Sequence, residues 1–372
     1  MKATAGDLRI VLSDLHLGTG HRKGIFNPYE DFYEDEKFAE LLKFYSSQWG
    51  RKNKIELILA GDFLDLMKVP VGKDGKFSDE ITEEIAEFKV NRCLTGHPKV
   101  CEALTSFLER SETTLTIVPG NHDIELLLPG VQKRVRDIIA PGTLGAKVQF
   151  IDKSPAYNLP EGIQIHHGHM LEPHLQFDYN RLMLPMRDGK AVLNLPWGSL
   201  LLLRVIIPAK RERYLVDHIY PLSRLILGGL LFDFRFTIRL SSKIMYQFFA
   251  TRIASTGKMT LKKIWEGVKI IKEAIIPVRD FDQNVERLLR RTMGVHTIIT
   301  GHSHRPRYKL VGDDKLYVNT GTWVKMLNID LEHMGQDTGL TYATITYDEK
   351  GKPFTELYRW SGGYRITNPV HY

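Results

Sequence analysis

Cysteine is scarce in this 372-residue sequence, which contains only Cys93 and Cys101. Two cysteines are too few and too widely spaced for a thiolate metal cluster, although the sequence does not exclude a disulfide between them. Cytosolic proteins keep such thiols reduced. We therefore expect two free thiols and a cytoplasmic protein.

Long hydrophobic runs are also missing. The most apolar stretches, 200–207 and 225–232, are eight residues each, and Arg204 interrupts the first. A membrane-spanning helix needs roughly 20 apolar residues. The N-terminal residues show no basic segment followed by an apolar stretch and a cleavage site, the pattern of a secretory signal. The sequence thus predicts neither a membrane span nor secretion by that route.

Positive charge is concentrated in one part of the chain. Residues 170–294 contain 21 Lys and Arg against 11 Asp and Glu, whereas the remainder contains 30 against 33. A basic segment on a mildly acidic body suggests a polyanionic partner, such as nucleic acid, a membrane surface or a phosphorylated substrate. Charge alone does not distinguish among these partners.

Strand and helix patterns alternate along most of the sequence. Alternating or β-branched runs predict strands at 8–12, 56–60, 114–118, 163–167, 296–300, 316–319 and 342–347, with amphipathic helical patterns between several of them. Strand patterns disappear from 171 to 294, where prolines punctuate aliphatic and basic helical stretches. We predict an α/β protein with a catalytic domain at 1–170 and 295–372, and a helical, basic and amphipathic insertion, or cap, at 171–294.

Five of the predicted strands end in short loops that carry His, Asp or Asn. The loops are SDLHLG, with Asp14 and His16; AGDFLDL, with Asp62 and Asp65; PGNHD, with Asn121, His122 and Asp123; HHGHML, with His167 and His169; and TGHSHRP, with His302 and His304. Each motif alone is weak, because such residues are common in turns and helix caps. Five in succession are not explained by turns, and ligands of open α/β sheets bind beyond the carboxyl ends of strands. We therefore expect these side chains to converge.

The residue types in these loops indicate divalent metal ions. Carboxylates, imidazoles and an amide oxygen, without thiolate, suit Mn, Fe, Co, Ni or Zn. Seven ligands drawn from these loops would be too many for one ion. Two ions about 3.5 to 4 Å apart, sharing a carboxylate, would use them all and would stabilise in-line displacement at phosphorus.

The order of the motifs resembles the calcineurin-like metallophosphoesterase superfamily, whose pattern is D-x-H, G-D-x-x-D, G-N-H-[D/E], H and G-H-x-H. The resemblance covers the α/β body but not the cap, and it implies a two-sheet sandwich flanked by helices. It also implies one metal held by Asp14, His16, Asp62 and His304, and a second held by Asp62, Asn121, His167 and His302. Asp62 would bridge the two ions, for which manganese is favoured over Fe, Zn, Co or Ni.

The same resemblance implies catalytic roles for the remaining motif residues. His122 would contact the phosphate and protonate the leaving group, a role that suits an imidazole, and Asp123 would orient it. A hydroxide that bridges the metals would be the nucleophile. Asp65 is expected to orient a metal-bound histidine, and His169 to lie beside the phosphate or a metal. The chain is therefore predicted to be a metal-dependent phosphohydrolase, such as a phosphodiesterase or pyrophosphatase.

The cap favours an amphiphilic substrate. The stretches GSLLLLRVIIPAKRERY and SRLILGGLLFDFRFTIRL combine aliphatic and basic residues, as do surfaces that meet a membrane or an anionic lipid head group; alternatively, these faces pack against each other. The cap loosely resembles the helical insertion of bacterial UDP-2,3-diacylglucosamine pyrophosphatases, although it is longer and that family usually has Arg in place of His122. We expect an anionic amphiphile, lipid-linked or a nucleotide-sugar, and peripheral association with the inner face of the membrane.

Two alternatives remain open. A nuclease or general phosphodiesterase would use the same metals and the same positive charge, but single-strand binders usually expose aromatic residues between basic ones, and the aromatic residues of the cap lie within aliphatic runs. A non-catalytic scaffold of the same fold would be expected to lack some ligands, and none is missing.

Overall fold

The computed structural model describes residues 5–21, 26–48, 53–72, 75–186, 189–218, 222–254, 281–328 and 335–362. Two β-sheets that share an apolar core form the body of the protein. Val11, Ile58 and Val118 from one sheet pack with Ile165 and Ile299 from the other. The predicted two-sheet sandwich is therefore present.

The first sheet contains six strands in the order β15-β14-β1-β2-β3-β4. They are β1 (Leu8–Leu12), β2 (Ile55–Ala60), β3 (Thr113–Val118), β4 (Val148–Phe150), β14 (Thr341–Tyr347) and β15 (Pro353–Arg359). The strands β1 to β4 are parallel, and β14 pairs antiparallel with β1. In β2, Leu57 faces the outer core while Ile58 faces the second sheet. Burial on both faces explains why the central strands are nearly continuous apolar runs.

The second sheet contains five strands in the order β10-β11-β9-β6-β5. They are β5 (Ala156–Leu159), β6 (Ile163–His166), β9 (Thr297–Thr300), β10 (Arg307–Val311) and β11 (Lys315–Asn319). The strands β6, β9 and β11 are parallel. Their carboxyl ends therefore lie at one edge, where His167 and His302 follow directly.

Helices cover the outer faces of both sheets. The first sheet is covered by α1 (Asp35–Gln48), α2 (Glu83–Gly96), α3 (Pro98–Glu109) and α4 (Pro129–Ile139), whose apolar faces belong to its outer core. Thr82 caps α2 by accepting a hydrogen bond from the backbone N–H of Ile85, a common way to begin a helix. Cys93 and Cys101, on α2 and α3, are buried free thiols.

The predicted insertion is helical in most of its described part. It contains α5 (Trp197–Leu201), a π-helical turn (Leu202–Ile206), α6 (Ile207–Ala209), α7 (Leu222–Phe232) and α8 (Phe234–Ala254). It also contains a small antiparallel sheet of β7 (Met183–Pro185) and β8 (Ala191–Leu193), which the sequence analysis did not predict because three residues are too few to show alternation. Positions 219–221 and 255–280, part of the predicted insertion, lie outside the described residues. None of the described helices combines the length and apolarity that a membrane span requires.

The body also contains a helix at the end of the predicted insertion and a pair of strands that follows the second sheet. Helix α9 (Phe281–Arg291) falls within the predicted insertion, yet Phe281, Val285 and Leu289 pack against the second sheet at Ile298 and Tyr317. The antiparallel pair β12 (Lys325–Asn328) and β13 (Gly335–Thr338) follows the second sheet.

Candidate metal centre

The five motif loops meet at one end of the two sheets. Oδ2 of Asp14, after β1, accepts the backbone N–H of His302, after β9, at 2.9 Å. Nε2 of His167, after β6, lies 3.2 Å from Oδ2 of Asp62, after β2. Oδ1 of Asn121, after β3, lies 3.0 Å from the same imidazole nitrogen. The structure thus brings together side chains from five separate strand ends.

Asp14, His16 and His304 form one group of candidate ligands. Nε2 of His304 lies 3.1 Å from Oδ1 of Asp14 and 3.1 Å from Nε2 of His16. Two imidazole nitrogens that face each other beside a carboxylate require a proton or a metal cation between them. Their arrangement therefore fits a cation site.

Asp62, His167 and His302 form a second group, which Asn121 joins through His167. Nε2 of His302 lies 2.7 Å from Oε2 of Glu172, so Nδ1 is its nitrogen that remains for a metal. Nδ1 of His167 contacts the backbone oxygen of Ala60 at 3.1 Å, which leaves Nε2 of His167 directed at Asp62 and Asn121. These outer contacts fix both imidazole rings, as is usual for histidine ligands.

Asp62 lies between the two groups. Its Oδ2 is 3.7 Å from Nε2 of His16 and 3.2 Å from Nε2 of His167. Its Oδ1 accepts the backbone N–H of His122 at 2.9 Å. This is the placement that a carboxylate shared by two metal ions would need.

Five of the candidate ligands have a left-handed backbone conformation. Six non-glycine residues in the described ranges have positive φ, and five of them are Asp14, His16, Asp62, His302 and His304, with φ between 50° and 71°. This conformation is unfavourable for residues that carry a Cβ. Such strain concentrates at functional sites, where the surrounding fold imposes it.

Glycines in the motifs allow the loops to approach one another. A Cβ added to Gly120 would lie 2.2 Å from Oδ1 of Asp62, and one added to Gly61 would lie 2.3 Å from the ring of His167. Neither contact can be accommodated without moving a candidate ligand. The glycines before Asp62 and Asn121 are therefore required by packing.

The electrostatics of the site favour bound cations. Burial alone would raise the pKa of Asp14, but His304 and His167 outweigh it and lower the pKa to about 2. Burial would also raise the pKa of Asp62, which the neighbouring histidines hold well below its usual range. At His167 burial would lower the pKa, but Asp62 and Asp14 raise it to about 9. The carboxylates stay ionised and attract positive charge.

The donor set fits two divalent metal ions. It offers carboxylate oxygens, an amide oxygen and imidazole nitrogens, a combination suited to ions of intermediate hardness. Asp62 lies between the two groups and within reach of both, as a carboxylate shared in a dinuclear site would. Asp14, His16, Asp62 and His304 would hold one ion, and Asp62, Asn121, His167 and His302 would hold the other.

The acid that orients His122 is Asp65, and the prediction that Asp123 does so is wrong. Nδ1 of His122 lies 3.0 Å from Oδ1 of Asp65, whose Oδ2 also lies 3.4 Å from Nδ1 of His16. The carboxylate of Asp123 instead accepts backbone N–H groups of Gly120 and Phe63 at 2.6 and 2.8 Å. Asp123 therefore joins two motif loops, and its oxygens are engaged away from the imidazole of the preceding residue.

Two further side chains line the second group. Glu172, which the sequence analysis missed, contacts His302 as described; it lies in the same loop as His167, but its spacing gave no signal. His169 is buried and stacks on Phe177, with ring centroids 5.5 Å apart, and its ring lies 5.4 Å from that of His167. Within the described residues, neither ring nitrogen of His169 has a hydrogen-bond partner. Its placement beside a metal or phosphate stays a prediction.

Comparison with known families agrees with this geometry. The profile of the family described as calcineurin-like phosphoesterase matches residues 9–306, a span that includes all five motif loops. The chain belongs to the calcineurin-like phosphoesterase family. This confirms the predicted family and the predicted enzyme class: the protein is a phosphoesterase that hydrolyses phosphoesters with the help of metal ions.

Solved structures similar to this phosphoesterase are distant in sequence. One is a dimetal phosphatase from Danio rerio, with 11% identity, 99% of each chain covered and a TM-score of 0.40. Another is a 5'-nucleotidase from Candida albicans, with 11% identity and a TM-score of 0.27; the match covers 96% of the phosphoesterase and 51% of the nucleotidase. A search of curated proteins gave no significant match.

Proposed function

We propose that this phosphoesterase hydrolyses a phosphate or pyrophosphate group of an anionic amphiphile, such as a lipid-linked compound or an acylated nucleotide-sugar, at a membrane surface. The observation that carries the proposal is an exposed apolar and basic surface on α7 and α8. We call it the α7–α8 surface; it comprises Leu227, Leu231, Phe232, Phe234, Arg235, Ile238, Arg239, Lys243, Met245 and Tyr246.

Several apolar side chains of the α7–α8 surface are highly exposed to water. Leu231 is 79% exposed and Phe232 is 89% exposed. The opposite side of α8 is buried, because Phe236, Leu240 and Ile244 pack with α5 and the π-helical turn. One side of α8 is therefore packed within the insertion, and the other is exposed. A group of exposed apolar side chains on two neighbouring helices is a feature expected of an interaction site.

Basic residues accompany this apolar surface. Residues 222–254 include five Lys and Arg and a single acidic residue, Asp233. Arg235 and Lys243 are exposed on α8. Anionic lipid head groups attract such residues while apolar side chains enter the interface. A membrane that contains anionic lipid is therefore the partner whose chemistry best fits this surface.

The insertion also lies beside the metal centre. Its π-helical turn contacts the short 3₁₀ turn Leu66–Lys68 that follows Asp65. A groove of about 330 Å³ lies between the insertion and the loop before α2, lined by Lys76, Phe77, Asp79, Leu203, Arg204, Pro208 and Arg211. Cations next to apolar side chains suit a ligand with a charged head and an acyl chain.

The metal ions and His122 would have different roles in hydrolysis. Bound metal ions, for which we propose manganese, would supply Lewis acidity and lower the pKa of water near the phosphorus atom. In its protonated form His122 donates from Nδ1 to Asp65, and its second proton, on Nε2, is available for the leaving oxygen. Its side chain is 16% exposed, so a substrate can reach it.

Turnover of a small substrate panel by manganese-loaded protein tests the proposal. The panel contains UDP-diacylglucosamine, a phospholipid, single-stranded DNA and bis-p-nitrophenyl phosphate, a small soluble diester. We expect release of phosphate or nucleoside monophosphate from a lipid substrate. Turnover of the DNA without turnover of either lipid would overturn the proposed substrate class while leaving the phosphohydrolase chemistry intact.

Membrane contact can be tested separately with lipid vesicles. Phe232→Ser should weaken co-sedimentation with vesicles that contain phosphatidylglycerol, whereas Met293→Ser, at an exposed position outside the α7–α8 surface, should not. Hydrolysis of bis-p-nitrophenyl phosphate should be the same in both variants. Equal vesicle binding by Phe232→Ser and the unsubstituted protein would contradict the proposed membrane contact.

A nuclease is the second candidate, and exposed aromatic rings favour it. Phe234 and Tyr246 are 61% and 74% exposed, so these rings are open to solvent rather than enclosed in aliphatic packing as the sequence suggested. Aromatic rings beside arginines can stack on bases of single strands. DNA binding that weakens steeply with salt would support this candidate.

A further inference from the structure

A buried network of charged side chains joins the insertion to the acid that orients His122. Lys68 lies in the 3₁₀ turn that follows Asp65, and its side chain is 5% exposed. Lys210, Asp217 and His218 come from the insertion, and Asp31 comes from the loop after β1. We call Asp31, Asp65, Lys68, Lys210, Asp217 and His218 the charge network.

Lys68 is the centre of the charge network. Its ammonium lies 2.9 Å from Oδ2 of Asp65 and 2.7 Å from Oδ2 of Asp217, and it also donates to Asp31. Burial would lower the pKa of Lys68, but these carboxylates hold it well above its usual range. The ammonium therefore stays charged and faces the metal centre on one side and the insertion on the other.

The insertion completes the network from its own side. Nζ of Lys210, which is fully buried, lies 2.6 Å from Oδ1 of Asp217 and 3.4 Å from Oδ1 of Asp31. Nε2 of His218 lies 2.9 Å from Oδ1 of Asp31, and its Nδ1 contacts the backbone oxygen of Lys325 at 2.8 Å. Removing one member of a buried ionic cluster leaves an uncompensated charge. The network is thus complete only when the insertion is docked.

A metal ion is not needed to explain this cluster. Asp31, Asp217 and His218 lie close enough together to bind one, but the ammonium groups of Lys68 and Lys210 each contact both carboxylates. Both acids therefore already have ammonium groups as their cationic partners.

We propose that Lys68 and Asp217 are positioning residues for His122. Asp217 holds the ammonium of Lys68 against Asp65, and Asp65 in turn fixes the imidazole of His122 through the 3.0 Å contact between Nδ1 and Oδ1. Docking of the insertion and orientation of the proton donor are then one event. This coupling does not depend on which phosphoester is the substrate.

The test uses Asp217→Asn in the full-length, manganese-loaded protein with bis-p-nitrophenyl phosphate. Direct partners of metal-bound histidines typically contribute 10- to 100-fold. Because Asp217 acts on His122 through Lys68 and Asp65, kcat should fall by about 10-fold, the lower end of that range, with KM and metal content unchanged. In a His122→Ala background the same substitution should cause no further fall, because Asp217 acts through His122. Asp217→Glu, which keeps the charge, should recover part of kcat.

A spectroscopic measurement and a matched control complete the design. The Nδ1 proton of His122, assigned by its loss in His122→Ala, should shift or broaden in the ¹H NMR spectrum of zinc-loaded Asp217→Asn. Asp137→Asn removes an exposed ion pair with Lys133 on α4 and should change neither kcat nor this resonance. An equal fall of kcat in both His122 backgrounds, or metal loss in proportion to activity, would overturn the proposal.

A second variant covers the case in which Asp217→Asn does not fold. Lys210→Gln leaves every carboxylate in place but removes a cation that holds Asp217. Its kcat should fall only when His122 is present. An unchanged kcat in folded Lys210→Gln would also overturn the proposal.

Discussion

Asp65 accepts a hydrogen bond from Nδ1 of His122 at 3.0 Å. The contact requires a proton on Nδ1 of His122, because a carboxylate that is ionised can only accept. Burial would raise the pKa of Asp65, but Lys68 and His122 hold it well below its usual range. Burial would lower the pKa of His122, but Asp65 and Asp62 raise it to about 9, so the imidazole carries a second proton on Nε2 that it can donate beside the metal centre.

The first prediction separates metal binding from proton transfer. Asp62→Ala should lose bound metal, since Asp62 lies between the two ligand groups and close to both. His122→Ala should keep the metal and lose kcat by about 10²- to 10⁴-fold, the usual contribution of a general acid. Metal content by elemental analysis, measured with kcat, checks both. Equal metal loss in the two variants would contradict the role assigned to His122.

The second prediction concerns Asp123, which accepts backbone N–H groups of Gly120, Phe63 and Leu64. Asp123→Ala leaves these buried donors without an acceptor and should lower the free energy of unfolding by about 1–3 kcal/mol. Urea denaturation of metal-free protein measures the change, with Asp137→Ala as the exposed control. If Asp123→Ala were as stable as the control, the carboxylate would not join the loops as described.

The third prediction is a pH dependence of stability that depends on His97. Burial would lower the pKa of His97, but hydrogen bonds to Asp35 and Glu30 raise it to about 9. A folded pKa above the unfolded value of about 6.5 means that the stabilisation is complete below pH 6.5 and is lost as pH rises through about 9.

His97→Gln should remove this dependence. In metal-free protein its unfolding free energy should lie about 1–3 kcal/mol below that of the unsubstituted protein at pH 6, and the gap should shrink by pH 10. Thermal or urea unfolding across this range measures the gap. A gap that stays constant with pH would show that His97 contributes by packing alone.

The fourth prediction follows from the left-handed backbone of His304, whose φ is 58°. In metal-free protein, His304→Gly should be more stable than His304→Ala by about 1 kcal/mol, because only glycine adopts this conformation without a steric penalty. Both variants lose the same imidazole. Urea denaturation compares them, and a more stable alanine variant would mean that the loop relaxes when the ligand is removed.

Much of the fold could be predicted from local patterns, and the exceptions have physical causes. The predicted strands at 8–12, 56–60 and 114–118 are present with ends that differ by at most one residue, because strands buried on both faces are continuous apolar runs. β15 was missed because it is an edge strand with polar residues at consecutive positions. Thr355 is buried and Glu356 is exposed, so the sequence shows no alternation of apolar and polar residues there. Short strands such as β4 have too few residues to show a regular alternation of apolar and polar side chains.

The candidate metal ligands could be predicted because each lies in a motif of a few consecutive residues that ends a strand. Glu172, Lys68 and Asp217 could not, because their roles come from contacts between segments far apart in the sequence. The incorrect prediction of Asp123, rather than Asp65, as the partner of His122 has the same cause. Adjacency in sequence favoured Asp123, whereas the direction of each side chain favours Asp65.

The ligand loops are spread along the chain from Asp14 to His304, with the whole insertion between the fourth loop and the fifth. During synthesis on the ribosome the first ligands emerge early, but His302 and His304 emerge only after the insertion has been translated. A nascent chain that lacks them has no imidazole to complete either group. The set of candidate ligands can therefore be completed only after the insertion has been translated, and a chain truncated before His302 would remain without a complete centre however much of the first sheet had folded.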